Sequence, residues 1–137
     1  MNVVVFSGTT EGRELSRQLA ALGIEVTVSV ATPLGQEEQG STPGVTVRCG
    51  RLLPDEMAAL LGDAALCIDA THPYAAVVTQ NIAAACAQTD VPLYRCLRES
   101  EQGQDELEGY PHLLMAQDTE QAAHLLEEIE GNILLTT

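Results

Sequence analysis

Hydrophobic residues fall along the chain in short unbroken runs, separated by stretches that carry the 3.6-residue spacing of helices. Asn2 to Phe6 is the first run, the pattern of a strand buried on both faces, and the turn Ser7-Gly8-Thr9-Thr10 follows it directly. Leu15, Leu19 and Leu22 then recur at i, i+4 and i+7, which predicts a helix that Gly23 stops. Ile24 to Val30 reads as a second strand, Ala31 to Gly44 as an irregular connection with one short helical turn, and Val45 to Cys49 as a third strand. Pro54 suits a first helical position and opens a helix with Met57, Leu60, Leu61 and Ala64 on one face.

The second half continues the alternation. Ala65 to Asp69 is a fourth strand, and Thr71 as N-cap with Pro73 in the first turn predicts a helix running to about Gln88, with Tyr74, Val78, Ile82 and Ala85 on one stripe. Val91 to Cys96 makes a fifth strand. Glu99 to Gly109 reads as a mobile acidic surface loop, and Tyr110 to Met115 as a sixth strand. Asp118 with Gln121 resembles a capping box for a helix bearing Ala122, Leu125, Leu126 and Ile129, ended by Gly131, and Ile133 to Thr136 gives a seventh strand. Strands alternating with helices predict an α/β fold: a doubly wound, mainly parallel, Rossmann-like sheet with helices on both faces. Residues 1–137 are expected to form one such domain. Because ligands gather beyond the carboxyl ends of such strands and the chain stops on a strand, the expectation is a unit truncated before a second, similar one.

Composition narrows the partners. Six arginines, no lysine and twenty acidic residues give a formal charge of −14, so the surface as a whole repels nucleic acid and anionic lipid. Without lysine, a Walker-type phosphate loop, a pyridoxal Schiff base and the usual phospho-acceptor switch domain are all excluded. The four cysteines have no close C-x-x-C pair, so they read as buried reduced thiols, with no metal site. No apolar stretch is long enough for a membrane span and no signal-peptide pattern opens the chain, which predicts a cytoplasmic protein.

Candidate chemistry gathers at one edge. In the first βα turn, Gly8 lets the backbone turn sharply, the first helical amides point outward, and the hydroxyls of Ser7, Thr9 and Thr10 add donors for an anion such as a phosphate. Ordinary helix capping explains the same letters. The second strand ends Val28-Ser29-Val30-Ala31-Thr32 without the carboxylate that an NAD ribose would need, so NADP suits it better, with Ser29 and Thr32 as donors. Arg13, Arg48, Arg51, Arg95 and Arg98 are all expected at the carboxyl edge, where guanidinium forks would focus a positive field on a polyanionic small molecule. Arg17 reads as solvated. Thr71, His72 and Tyr74 share the turn after the fourth strand, where a helix N-terminus favours a neutral imidazole. His112 and His124 lack such company and read as structural.

Four segments together carry a resemblance: V-V-V-F-S-G-T-T-E-G-R-E-L from Val3 to Leu15, C-G-R-L at Cys49 to Leu52, I-D-A-T-H-P-Y-A-A at Ile68 to Ala76, and P-L-Y-R-C-L-R from Pro92 to Arg98. They resemble the precorrin-6A reductase family of corrin-ring (vitamin B12) biosynthesis. The resemblance implies an NADPH-dependent reductase acting on the precorrin-6A macrocycle or its cobalt-bearing counterpart, built from two similar α/β domains of which this chain is the first. Its partners would be the tetrapyrrole substrate and its own missing C-terminal domain, with no nucleic acid and no membrane. On this reading Ser7, Gly8, Thr9, Thr10, Gly12, Arg13, Ser29 and Thr32 bind the cofactor, while Arg51, Thr71, His72, Tyr74, Arg95 and Arg98 bind the macrocycle, although spacing leaves open which turn holds which ligand, and the first turn suits a ring carboxylate as well as a phosphate. His72 is the candidate proton donor. Two competing readings are the coenzyme domain of another NADP-dependent dehydrogenase, which leaves His72-Pro73-Tyr74 unexplained, and a non-catalytic nucleotide-sensing domain.

Overall fold

The computed structural model describes residues 1–97, 111–127 and 129–134, so Arg98 and the predicted acidic loop Glu99 to Gly109 lie outside the described residues. The chain divides into two compact units, Met1–Arg98 and Glu99–Thr137. In the first, strands and helices alternate as β1 (Asn2–Ser7), α1 (Thr10–Ala21), β2 (Glu25–Val30), α2 (Pro33–Gln39), β3 (Val45–Cys49), α3 (Pro54–Leu61), β4 (Leu66–Ala70), α4 (Ala76–Thr89) and β5 (Leu93–Arg95). All neighbouring strands pair in parallel, in the order β3-β2-β1-β4-β5. This is the doubly wound sheet that the alternation predicts. The winding direction reverses between β1 and β4, which places a crevice at the carboxyl ends of those two strands.

The central strand explains the layering. Val3, Val4 and Val5 are 1%, 0% and 0% exposed, so β1 is covered on both faces. Val4 and Phe6 join Met57 and Leu61 of α3 and Ile82, Ala85 and Cys86 of α4 in one core. Val3 and Val5 join Val26, Val28 and Val30 of β2, with Leu15 and Leu19 of α1 packed against them. α2 lies on the α1 side, where the buried Gln39 amide donates to the Ser16 hydroxyl at 2.9 Å.

Several local expectations change. The buried line of α1 runs through Gly12 and Ser16, and Leu22 is 78% exposed, because the face against the sheet carries small residues that bring helix and strands close. The connection after β2 holds a seven-residue helix: the Thr32 hydroxyl caps it by accepting from Gly35 N, Pro33 occupies its first turn, and Gly40 at φ 67° ends it. Thr71 is not a cap. α4 begins at Ala76, and residues 71–75 form a separate turn, so Tyr74 stands outside the helical stripe and is 90% exposed. Of the four cysteines only Cys67 and Cys86 are buried, while Cys49 is exposed and Cys96 half-buried.

In the second unit α5 (Thr119–Leu126) starts where expected, with Asp118 Oδ1 accepting from Gln121 N at 2.8 Å. Neither Pro111 to Met115 nor Ile133 and Leu134 forms a strand; Tyr110 and residues 135–137 lie outside the described residues. The apolar side chains there remain open to solvent, Leu114 at 62% and Leu134 at 87%, and a strand without a paired neighbour leaves its backbone groups unsatisfied. Among the described residues no helix is long and apolar enough to cross a membrane.

Two predictions follow from the packing. A Cβ at Gly12 would lie 2.9 Å from the Ala70 Cβ and 2.6 Å from Ser7 Oγ, and the first of these neighbours cannot rotate away. Gly12→Ala is therefore expected to lower stability by about 1–3 kcal/mol in urea unfolding, without altering the far-ultraviolet spectrum. Burial, and then the adjacent Cys86 thiol, pushes the Cys67 thiol far above its ordinary value of 9.0, and burial likewise raises Cys86. The folded chain keeps both protonated while the unfolded chain ionises them, so their contribution is intact below about pH 9 and declines above it. The urea midpoint should fall between about pH 8 and about pH 10 under reducing conditions, and Cys67→Ala should shrink that fall.

Candidate functional site

The crevice is built from two turns. In the first, β1 ends at Ser7 and Thr9 caps α1: its hydroxyl accepts from Gly12 N at 3.2 Å and donates to Ala70 O at 2.9 Å. With its proton committed to Ala70, Thr9 does not offer it to an anion, which corrects the expectation from sequence. Its job is to tie the first turn to β4. Gly8 is not a positive-φ residue, so the sharp turn does not require glycine there. A Cβ at Gly8 would meet only His72 N and Thr71 Cα, at 4.0 Å. The missing side chain instead leaves space open between the two turns.

The second turn hangs on Asp69, which is 1% exposed at the carboxyl end of β4. Its Oδ1 accepts from the Thr71 amide at 3.0 Å and the Thr71 hydroxyl at 2.6 Å. Its Oδ2 accepts from the Thr79 hydroxyl at 2.8 Å and from Arg95 Nη1 at 2.8 Å, and Arg95 also bonds the Thr79 hydroxyl. Enclosing an unpaired carboxylate costs several kcal/mol, which this set of donors offsets. Beyond Thr71, the Tyr74 amide donates to His72 Nδ1 at 3.3 Å, and the two rings lie 5.2 Å apart. An Nδ1 that accepts leaves the ring proton on Nε2, so this hydrogen bond turns an N–H donor outward from the ring. The dipole argument from sequence does not apply, because α4 starts four residues after His72.

Among the described residues, three hollows that open along this edge are all lined by Gly8. The first, about 410 Å³, lies between Thr9 and Thr10 on one side and Thr71, His72 and Tyr74 on the other, with Glu11, Glu38 and Cys96 at its walls. A second of about 320 Å³ sits between the β1 and β2 ends, bordered by Ser7, Arg13, Thr32 and Glu38. The third and largest, about 530 Å³, is mainly apolar: Phe6, Leu52, Met57 and Val78 line it with Ser29, Arg51 and the same His72 and Tyr74.

The arginines do not converge as a set. Arg51 borders the largest hollow and Arg13 the smallest, where its Nη1 donates to Glu38 O at 3.0 Å and its Nη2 to the Thr10 hydroxyl at 3.5 Å. Arg95 is held by Asp69, and Arg48 is exposed on β3 opposite Ser29. Arg98 lies outside the described residues. Arg17 is exposed, as are His112 and His124 in the second unit. Gly12 packs against Ser7 and Ala70 and has no open surface to give a ligand. Sequence reasoning missed Asp69 and Thr79. The signal available was an acid closing the apolar run Ala64-Ala65-Leu66-Cys67-Ile68, two residues before a threonine.

The chain matches the family model described as precorrin-6x reductase CbiJ/CobK over residues 2–137. It is 37% identical to the cobalt-precorrin-6A reductase of Salmonella typhimurium, over 99% of this chain and 51% of that protein. Against the cobalt-precorrin-6A reductase of Priestia megaterium it is 30% identical, over 98% of this chain and 51% of that one. The chain thus spans about half the length of these curated relatives. Among solved structures, it is similar to a CobK precorrin-6A reductase with 33% identity and a TM-score of 0.63, covering 72% of this chain and 39% of that one. A Rossmann-fold NAD(P)-binding family protein from Shigella flexneri shares the fold at 18% identity and a TM-score of 0.55, covering 67% of this chain and 49% of that one.

Replacing Arg95 by Met leaves the enclosed Asp69 without its cation. The expected loss is roughly 2–3 kcal/mol in urea unfolding, below that of a fully enclosed pair because the Arg95 side chain stays 28% exposed. Adding Asp69→Leu to Arg95→Met should recover part of that loss.

Proposed function

The chain belongs to the precorrin-6x reductase family CbiJ/CobK, and from that premise we propose that it forms the coenzyme-binding half of an NADPH-dependent reductase. The substrate is the precorrin-6A macrocycle or its cobalt-bearing counterpart, and the relatives' greater length supplies a second domain that closes over the crevice. The observation that carries this reading is the bare Gly8 on the switch point of the sheet, which lines both the hollow bordered by Arg13 and Thr32 and the larger apolar one bordered by Arg51.

The residues present fit a dinucleotide. Gly8 leaves the backbone approachable, and the Thr10 hydroxyl and the Arg13 guanidinium stand beside it at the positive end of α1. The end of β2 carries Ala31 and Thr32 in place of an acid, and Thr32 differs from Thr9 in a telling way. Both hydroxyls accept from the amide three residues on, but among the described residues only Thr9 passes its proton to a carbonyl, so Thr32 keeps one to donate to a 2′-phosphate. Gly8, Thr10, Arg13 and Thr32 are therefore the residues that hold NADPH, which supplies a hydride to a double bond of the ring. Ser7 and Ser29 shape the inner wall.

The macrocycle, a broad apolar ring fringed with carboxylates, suits the largest hollow, where apolar walls carry Arg51, His72 and Tyr74. The exposed Tyr74 ring offers a stacking face, and Arg51 a fork for a carboxylate. His72, whose Nδ1 accepts from the Tyr74 amide, presents its Nε2–H as a hydrogen-bond donor to the ring as it is reduced.

The complete encoded protein is expected to oxidise NADPH when given precorrin-6A or cobalt-precorrin-6A, and to use NADH about tenfold or more less efficiently. Gly8→Ala should fold with an unchanged melting temperature yet bind NADPH about tenfold more weakly, because a methyl group enters the approach to the backbone. Absence of NADPH oxidation with either macrocycle would sink the substrate assignment, and unchanged NADPH affinity in Gly8→Ala would sink the placement of the cofactor.

A further inference from the structure

We propose that Asp69 is a positioning residue for the reductase site: through Thr71 it fixes where His72 and Tyr74 stand beside Gly8, with Thr79 and Arg95 holding it in place. The inference rests on the reading of the crevice given above. Its basis is the division of labour between the two carboxylate oxygens. Oδ1 takes both donors of Thr71, the amide and the hydroxyl, whereas Oδ2 takes Thr79 of α4 and Arg95 of β5. One oxygen is anchored to the scaffold and the other carries the turn.

The two shortest ties of residues 71–75 to the sheet run through this carboxylate. Among the described residues the turn is also tied to α4, with Thr71 Oγ1 3.5 Å from Thr79 Oγ1 and Thr79 N donating to Ala75 O at 3.1 Å, while its internal hydrogen bonds run from Ala75 N to His72 O at 2.9 Å and from Tyr74 N to His72 Nδ1 at 3.3 Å. The contact between Thr9 and Ala70 stops one residue short of it. The turn also borders the open space beside Gly8. The Cβ position of Gly8 is 4.0 Å from His72 N and Thr71 Cα, and two of the three hollows share Gly8, Thr71, His72 and Tyr74 as walls. A displacement of the turn by about 1 Å changes both, and a reacting geometry is sensitive to displacements of that size.

The fold itself does not ask for a carboxylate here. Asp69 follows Cys67 on the face of β4 that meets Ile82 and Cys86, a setting an aliphatic side chain would fill. Replacing enclosed ion pairs with apolar groups is often neutral for stability, so the charge points to placement of the turn as its role.

The test compares Thr71→Val, which removes only the hydroxyl tie, with Thr71→Ser, which keeps it, and with Asp69→Asn, all in the complete encoded protein. Thr71→Val and Asp69→Asn are expected to lower kcat/KM for cobalt-precorrin-6A on the order of 10- to 100-fold, with kcat affected, while Thr71→Ser stays within about threefold. Thr71→Val should melt at a lower temperature, because the enclosed carboxylate loses one donor, yet remain folded at the assay temperature. Amide hydrogen exchange at Tyr74 and Ala75, read without any ligand, should quicken in Thr71→Val and not in Thr71→Ser. Quickened exchange in a protein that reduces neither macrocycle would support the clamp while removing the substrate. Unchanged exchange, or unchanged turnover by Thr71→Val where the unvaried protein is active, would overturn the proposal.

Discussion

A carboxylate removed from water at the end of a central strand must be surrounded by donors, and the donors that Asp69 collects come from three separate elements. The turn after β4, the first turns of α4 and the end of β5 are all oriented toward one side chain. Its backbone neighbour adds a fourth connection, since Ala70 O accepts the proton of the Thr9 cap and so joins the β1 turn to the same point. The carboxyl edge of the sheet is therefore one linked assembly, and the hollows between its turns take their shape from it.

The two glycines of the first turn do different work. Gly12 is a packing residue, where α1 approaches β1 and β4 too closely for any side chain. Gly8 faces open space and would accept a methyl group without strain, so its value lies in what it leaves uncovered. A similar division separates the two capping threonines. Thr9 uses its hydroxyl in both directions to hold structure, and Thr32 uses only the acceptor side. Identical residue types thus fall into scaffold and site according to where their remaining donor or open surface points.

Charge at this edge is more balanced than the arginine positions alone indicate. The cation nearest the second turn neutralises Asp69, and Arg13 braces the end of α2 beside Glu38. What remains is one guanidinium at each of two hollows, Arg51 at the larger and Arg13 at the smaller, where Ser7, Thr32 and Gln39 stand among apolar neighbours. An acidic protein with isolated cations recognises anionic groups at defined points of a ligand, where a broad positive surface would attract any polyanion.

The run of buried valines in β1, the stop at Gly23, Pro54 at the head of α3 and the alternation of strand and helix were all readable as letters, because each depends on contacts within a few residues. The doubly wound sheet followed, and with it the edge where the turns gather. The start of α4 was misplaced because Thr71 has the chemistry of a cap, but an enclosed carboxylate two residues back competes for its hydroxyl and amide. Likewise the partner of Arg95 depends on β5 pairing beside β4 in one register, which sets residues 26 apart in sequence side by side. Local periodicity encodes elements and their faces; which donor reaches which acceptor across elements is decided only when the sheet brings them together and water is excluded.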